Sequence, residues 1–323
     1  MHSFSAISDL YQQKRDSLVF PLTPSNLYGS INYFLDLPGK RIRPALCLMA
    51  NELFTPIRSD SYRIAHAIDL FHNFTLIHDD IMDRSPLRRG RATLHTKYDE
   101  GTAILAGDTL FIYCYLLLNK VDLIHRTHIV ELFSETAKQV CEGQQMDIDL
   151  EKKEMDAVHY ADYLEMITRK TSVLLGCAAQ CGAIMGGANE QQQISLYEFG
   201  KNIGIAFQIQ DDYLDTFGLT ARTGKQVGGD ILENKKTALL VKAFEVADFK
   251  QKIMLKEAFL QTGQDKVQAV INSYKALEVD QWATKAIESY TAIAFGNLEE
   301  IDVPVFKKEK LMKLANSLLV RQS

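Results

Sequence analysis

Six aspartates stand in two identical groups, Asp79-Asp80-x-x-Asp83 and Asp211-Asp212-x-x-Asp215. Each closes an apolar run, HNFTLIHDDIMD in the first case and FQIQDDYLD in the second. On a helix of 3.6 residues per turn, the first and last aspartates of a group lie one above the other, and the middle one sits at the edge of that face. Like charges at this spacing repel and weaken a helix. Apolar flanks argue against a merely solvated face, and a bound cation would offset the repulsion. The nearby ligands are all carboxylate oxygens, with no cysteine and no regularly spaced histidine, so the ion expected is hard, Mg²⁺ or Mn²⁺. Magnesium takes one or two carboxylates and completes its shell with water and substrate phosphate. Two aspartate helices therefore predict a phosphorylated substrate held between them through metal bridges. One such group alone is an ordinary charged helix end; two copies beside basic clusters are not.

The basic residues fall at the same helix ends. Gly39-Lys40-Arg41-Ile42-Arg43-Pro44 reads as a loop entering a helix, with Pro44 in its first turn. Lysine and arginine beside a helix N-terminus make an anion site. Arg88 and Arg89 follow the first aspartate helix in a turn with Pro86 and Gly90. Lys170 precedes an uncharged helix. Thr223-Gly224-Lys225 lies in a Gly-rich loop behind the second aspartate helix, and Asn234-Lys235-Lys236 follows. This placement predicts two phosphate sites, one metal-bridged and one held directly by Arg and Lys.

The elements that must position these residues are helices. No proline lies between Leu87 and Val303, and proline breaks helix interiors. Apolar residues recur with helical spacing, as in Ile129-Leu132-Phe133-Ala137-Val140-Cys141. No Asn-Gly or Asp-Gly hairpin is found. The pattern predicts helices over 26–37, 41–54, 61–84, 99–119, 127–150, 160–187, 191–217, 235–247, 250–262, 265–278, 281–299 and 306–320. Connections are short, so neighbours should pack antiparallel. No linker divides the chain, and one all-α domain over 1–323, a large antiparallel helical bundle, is expected.

Composition removes other classes. The 323 residues are 46% hydrophobic and 24% charged, with net charge −5. That supports a large core and gives no basic field for nucleic acid. Five cysteines without zinc spacing point to a reduced, cytoplasmic protein. Residues 1–20 carry charges and no apolar core, unlike a signal peptide. Thr171 to Asn189 is uncharged but rich in small residues. It reads as a buried helix, with a membrane span as the alternative. Gly182 and Gly186, four apart, would let another helix approach closely.

The combined pattern resembles the trans-isoprenyl diphosphate synthases of the polyprenyl synthetase family. GKRIRP, HNFTLIHDDIMD, LRRG, EGQQMD, RKT, FQIQDDYLD, TGK and ENKKT occur in family order from about Asn26 onward. The resemblance implies an all-α bundle around a deep central cavity, normally a homodimer, that condenses isopentenyl diphosphate with an allylic diphosphate (dimethylallyl, geranyl or farnesyl) head to tail. It implies that Asp79, Asp83 and Asp211 hold three magnesium ions on the allylic diphosphate, with Asp80, Asp212 and Asp215 in support. Arg88, Lys170, Lys225 and Lys235 would contact that diphosphate. Gly39, Lys40, Arg43, His72 and Arg89 would hold isopentenyl diphosphate. Thr171 and Gln208 would help stabilise the transition state, and Gln144 and Asp147, which match a further family motif, would have a supporting role.

In this family, bulk four and five residues before the first aspartate stops product growth. Those residues are Thr75 and Phe74, a pair most like type-one geranylgeranyl diphosphate synthases, so a twenty-carbon product is expected, with farnesyl diphosphate as the alternative. A terpene cyclase needs no isopentenyl diphosphate site, against which GKRIRP and Arg89 argue. A regulatory subunit of a heteromeric synthase typically loses an aspartate motif, and both are intact here.

Overall fold

The computed structural model describes residues 1–218 and 228–319. The chain forms two compact units. The first comprises Met1–Ser134, Ala178–Ile194 and Val303–Leu311; the second comprises Glu135–Cys177, Ser195–Asp302 and Met312–Ser323.

The first unit begins with α1 (Phe4–Arg15), α2 (Ser25–Leu35), α3 (Ile42–Phe54) and α4 (Ser59–Met82). A two-stranded hairpin of Leu87–Arg88 and Arg91–Ala92 follows, then α5 (Leu94–Lys97), α6 (Glu100–Leu118) and the start of α7 (Leu123–Glu151). Helix α4 packs against α3 and α6. Phe34, Leu48, Ile64, Phe71, Leu110 and Phe133 are buried there. The uncharged run supplies α9 (Val173–Gly186), and its glycines do face a close neighbour, α3. A Cβ on Gly182 would stand 2.0 Å from the Cys47 carbonyl oxygen, and one on Gly186 2.9 Å from that of Asn51.

In the second unit, α7 continues to a 3₁₀ turn at Met155–Ala157, then α8 (Tyr160–Ile167), a π-helical turn at Thr168–Ser172 and the first part of α9. Next come α10 (Glu190–Phe217), α11 (Gly229–Leu232), α12 (Ala238–Val246), α13 (Phe249–Leu260), α14 (Gly263–Ala276) and α15 (Val279–Glu299). The last helix, α16 (Val305–Leu319), has residues in both units. The second core gathers Tyr163, Leu239, Val241, Phe244, Leu255, Val270 and Tyr274.

Three local features depart from the sequence reading. Helix α1 was not expected; Ser3 caps it, its Oγ accepting from the Ala6 amide at 3.3 Å, and only Ile7 and Tyr11 are buried. Phe4, Ile7, Leu10 and Tyr11 do stand at helical spacing there. The helix expected over 160–187 is interrupted by the π turn. The turn after α4 is a hairpin in the register Leu87↔Ala92 and Arg88↔Arg91, closed by Arg89 and Gly90. Both have positive φ, 53° and 77°, the conformation of a two-residue hairpin loop, here built without Asn or Asp.

Candidate active site

In the first unit, α4 carries Asp79 and Asp80 in its last turn and ends at Asp83, its C-cap. The three carboxylates have different surroundings. Asp83 is exposed and Asp79 half-buried. Asp80 is 1% exposed and locked to Arg88, whose Nε reaches both carboxylate oxygens at 2.8 Å and whose second nitrogen lies 2.8 Å from Oδ1. Burial raises the Asp80 pKa, and the Arg88 hydrogen bonds act against that rise. Arg88 thus has a structural partner in addition to the diphosphate role that the resemblance implies.

Four arginines converge beside this turn, and only two have a carboxylate. Arg41 lies 3.5 Å from Asp69 and donates to the Leu35 and Leu37 carbonyls at 2.7 and 3.2 Å. It is the residue of GKRIRP that ties the loop to the end of α2. Its φ of 49° is left-handed, a conformation that costs free energy for a side chain other than glycine. Arg88 has Asp80. Arg43 and Arg89 make no ion pair among the described residues.

Arg43 donates to His72 Nε2 at 3.1 Å, and its own Nε is buried without a partner. Burial brings the Arg43 guanidinium down to about 10, so it stays charged at neutral pH. His72 is pushed well below the usual histidine range, by burial first and then by Arg43, Arg89, Arg88 and Arg41. It is therefore neutral and accepts from Arg43, which places its own proton on Nδ1. Arg89 donates to the Pro38 carbonyl at 2.5 Å, next to Gly39, and Lys40 is exposed. Surplus guanidinium charge with an unfilled buried donor suits an anion.

Phe74 and Thr75 lie one turn before Asp79 on α4. Phe74 stacks on Phe111 of α6 with centroids 5.1 Å apart and planes 17° apart, and meets His78 edge-on at 4.7 Å. Phe71, Tyr115 and Phe133 extend the cluster. Thr75 bonds back to the His72 carbonyl at 2.9 Å.

In the second unit, the π turn holds Arg169, Lys170 and Thr171. Such turns inside helices are frequent at functional sites. Lys170 Nζ donates to Asp147 at 2.6 Å, Thr171 Oγ1 to Gln208 at 3.4 Å, and Gln208 to Asp212 at 3.3 Å. Arg169 pairs with Glu142. Gly143, in the same EGQQMD stretch as Gln144 and Asp147, sits under the turn. A Cβ there would meet the Lys170 amide nitrogen at 2.2 Å. The sequence reading quoted the motif but gave Gly143 no role.

The second aspartate group divides as the first does. Asp211 and Asp215 are half-buried, whereas Asp212 is 6% exposed. It accepts from the Tyr163 hydroxyl at 2.7 Å and the Ala238 amide at 2.8 Å. Burial pushes its carboxyl up to about 7, against the pull of those hydrogen bonds. Asp215 accepts from the Asp230 amide at 2.9 Å. Asp230 itself, which sequence reasoning missed, is pushed up to about 6 by burial and by Asp215, and Lys235 lies 3.4 Å from it. Its only sequence signal is its place in the Gly-Gly-Asp before ENKKT. Lys225 lies outside the described residues.

The donor set fits magnesium. Among the described residues no three His, Cys, Asp or Glu side chains form a ready-made cage. The least buried carboxylates of each group instead leave room for water and phosphate oxygens, as a magnesium ion that keeps much of its shell requires.

A fold of this kind with these two carboxylate helices defines a class, and comparison with known proteins gives the family. The polyprenyl synthetase family model matches residues 24–277. The chain is 36% identical over 317 residues to the geranylgeranyl pyrophosphate synthase of Geoglobus acetivorans, covering 97% of this chain and 96% of that one. It is 41% identical over 232 residues to the geranylgeranyl diphosphate synthase of Methanosarcina mazei, covering 71% of each. A crystal structure of a geranylgeranyl pyrophosphate synthase superposes with a TM-score of 0.93 at 41% identity, covering 100% of both chains. The chain belongs to the polyprenyl synthetase family and is an all-α prenyltransferase.

Proposed function

We propose that the protein is a geranylgeranyl diphosphate synthase, condensing isopentenyl diphosphate with allylic diphosphates up to twenty carbons. The observation that carries the product length is Phe74, stacked on Phe111 one turn before Asp79. The names of the relatives above point the same way. Asp79 and Asp83 from α4 and Asp211 from α10 hold magnesium. When bound, magnesium supplies charge that neutralises the departing diphosphate. Asp80 and Asp212 hold the helices' own geometry through Arg88 and Tyr163, and Asp215 holds the backbone at Asp230. Lys170, set by Asp147, and Lys235 offer cations to the allylic diphosphate. Arg43, Arg89 and Lys40 grip isopentenyl diphosphate. The aromatic cluster around Phe74 excludes water, which would otherwise quench the allylic cation. Thr171 and Gln208 stabilise that cation, and the proton lost from the isopentenyl unit passes to the released diphosphate.

The same proposal takes the two units as one catalytic domain, supported by α7, α9 and α16, each with residues in both. It includes a cytoplasmic homodimer. Five cysteines with no Cys-x-x-Cys pair and no zinc spacing support the reducing compartment. Leu105, Ile112 and Leu116, 59%, 59% and 50% exposed, support self-association, because they fall within about 40° on α6. The decisive test is Asp79→Ala, which should abolish magnesium-dependent condensation with the fold intact by circular dichroism. Near-normal turnover by that variant sinks the metal assignment.

A further inference from the structure

Helix α13 and the end of α12 carry apolar side chains left open to solvent. Phe249 and Leu260 are each 82% exposed, Met254 55%, Val246 46% and Ile253 44%. The inward face of α13 is complete without them, since Leu255, Ala258 and Phe259 are buried. At 100° per residue Phe249, Ile253 and Leu260 fall within about 40° of one another, a narrow stripe along three turns. On the same wheel, Lys252 and Lys256 border the stripe on one side; on the other, Glu257, the only acid in the helix, stands between the stripe and Lys250. Lys256 is held by Asp156 at 2.7 Å. Lys250 and Lys252 make no ion pair among the described residues, in a chain whose net charge is −5.

Two properties select the occupant. The members of a protein-docking patch pack into a continuous core and exclude charge from it. Here Phe249 and Leu260 stand almost wholly exposed at opposite ends of the helix, and lysines flank the stripe. An apolar stripe with lysines at its borders is the arrangement by which a helix lies in a lipid interface, apolar residues at the acyl boundary and ammonium groups at the phosphates.

We propose that α13 docks the protein on an anionic lipid surface, with Phe249, Ile253 and Leu260 inserted and Lys250 and Lys252 against the lipid phosphates. The inference rests on this face alone. If the product is a twenty-carbon diphosphate, the docking sets the enzyme beside the phase into which its amphiphilic product partitions.

The test is co-sedimentation of the full chain with phosphatidylcholine vesicles, with and without phosphatidylglycerol. Binding is expected only to the anionic vesicles, with release as salt rises. The double variant Phe249→Ser/Leu260→Ser is expected to lower vesicle affinity by at least about tenfold. Its prenyl transfer in solution should be unchanged, which separates this result from any failure of the functional assignment. Lys250→Glu/Lys252→Glu should weaken binding in the same direction. A wild-type protein that stays in the supernatant with anionic vesicles overturns the proposal, as does a double variant that sediments as well as wild type. A drop in the solution mass of the double variant by light scattering also overturns it, by assigning the face to a second copy.

Discussion

Replacing Gly143 by alanine should damage catalysis more than folding. The added Cβ would stand 2.2 Å from the Lys170 amide nitrogen and 2.7 Å from both the Lys170 Cα and the Arg169 carbonyl carbon, where ordinary contact begins at 3.4 Å. The obstacle is backbone, so no rotamer change relieves it, and α7 and the π turn must separate by about 1.2 Å (3.4 − 2.2). Overpacking of this kind costs about 1–3 kcal/mol, which a domain of this size survives. The same displacement draws Lys170 from Asp147 and Thr171 from Gln208, and a misplacement of about 1 Å in a positioned group costs about 10²-fold in rate. Chemical denaturation and steady-state kinetics on one preparation separate the two effects. Stability should fall modestly and kcat about a hundredfold. Wild-type kcat in Gly143→Ala would refute the reasoning, because the π turn would then tolerate movement without loss of function.

Other consequences follow from the same geometry. Arg88→Leu strands a buried carboxylate on Asp80 and should cost about 3–5 kcal/mol. Arg89→Leu, which loses only the hydrogen bond to the Pro38 carbonyl, should cost about 1 kcal/mol while raising KM for isopentenyl diphosphate; denaturant titration and initial rates compare the two. Phe74→Ala removes the ring stacked on Phe111 and should lengthen the main product, read by chromatography of the dephosphorylated alcohols. An unchanged distribution removes Phe74 as the floor. His66, 7% exposed, is brought down from 6.5 to about 4, chiefly by burial. The unfolded chain binds that proton between the two values, so stability is complete above 6.5 and declines as pH falls toward 4. The full contribution is about 3 kcal/mol. His66→Gln should flatten the acid limb of stability against pH, measured by denaturant unfolding across that window.

The sequence made the chemistry legible because the aspartate groups, the basic loops and the helical periodicity of α4 and α10 are all local. The all-α class came from the same periodicity. What it could not separate was the fate of each aspartate. Asp80 is buried by a pairing with Arg88, eight residues on, and Asp212 by Tyr163 and Ala238, 49 residues before and 26 after. Those are tertiary facts, and Asp-Asp-x-x-Asp does not encode them. The π turn was hidden for a related reason: Thr168–Ser172 is five polar residues with no helix breaker, and only the approach of Gly143 shows that the backbone there is pinned. The Arg89-Gly90 hairpin was missed because the first of its two left-handed residues is an arginine, outside the Asn-Gly and Asp-Gly signals.

The central claim is that this chain joins isopentenyl diphosphate to an allylic diphosphate and stops at twenty carbons. Incubation of the purified protein with isopentenyl diphosphate, magnesium and each of dimethylallyl, geranyl and farnesyl diphosphate, followed by chromatography of the products, tests it directly. The account predicts geranylgeranyl diphosphate as the main product and none without the metal. No product with any starter, or a cyclised hydrocarbon formed without isopentenyl diphosphate, would contradict it.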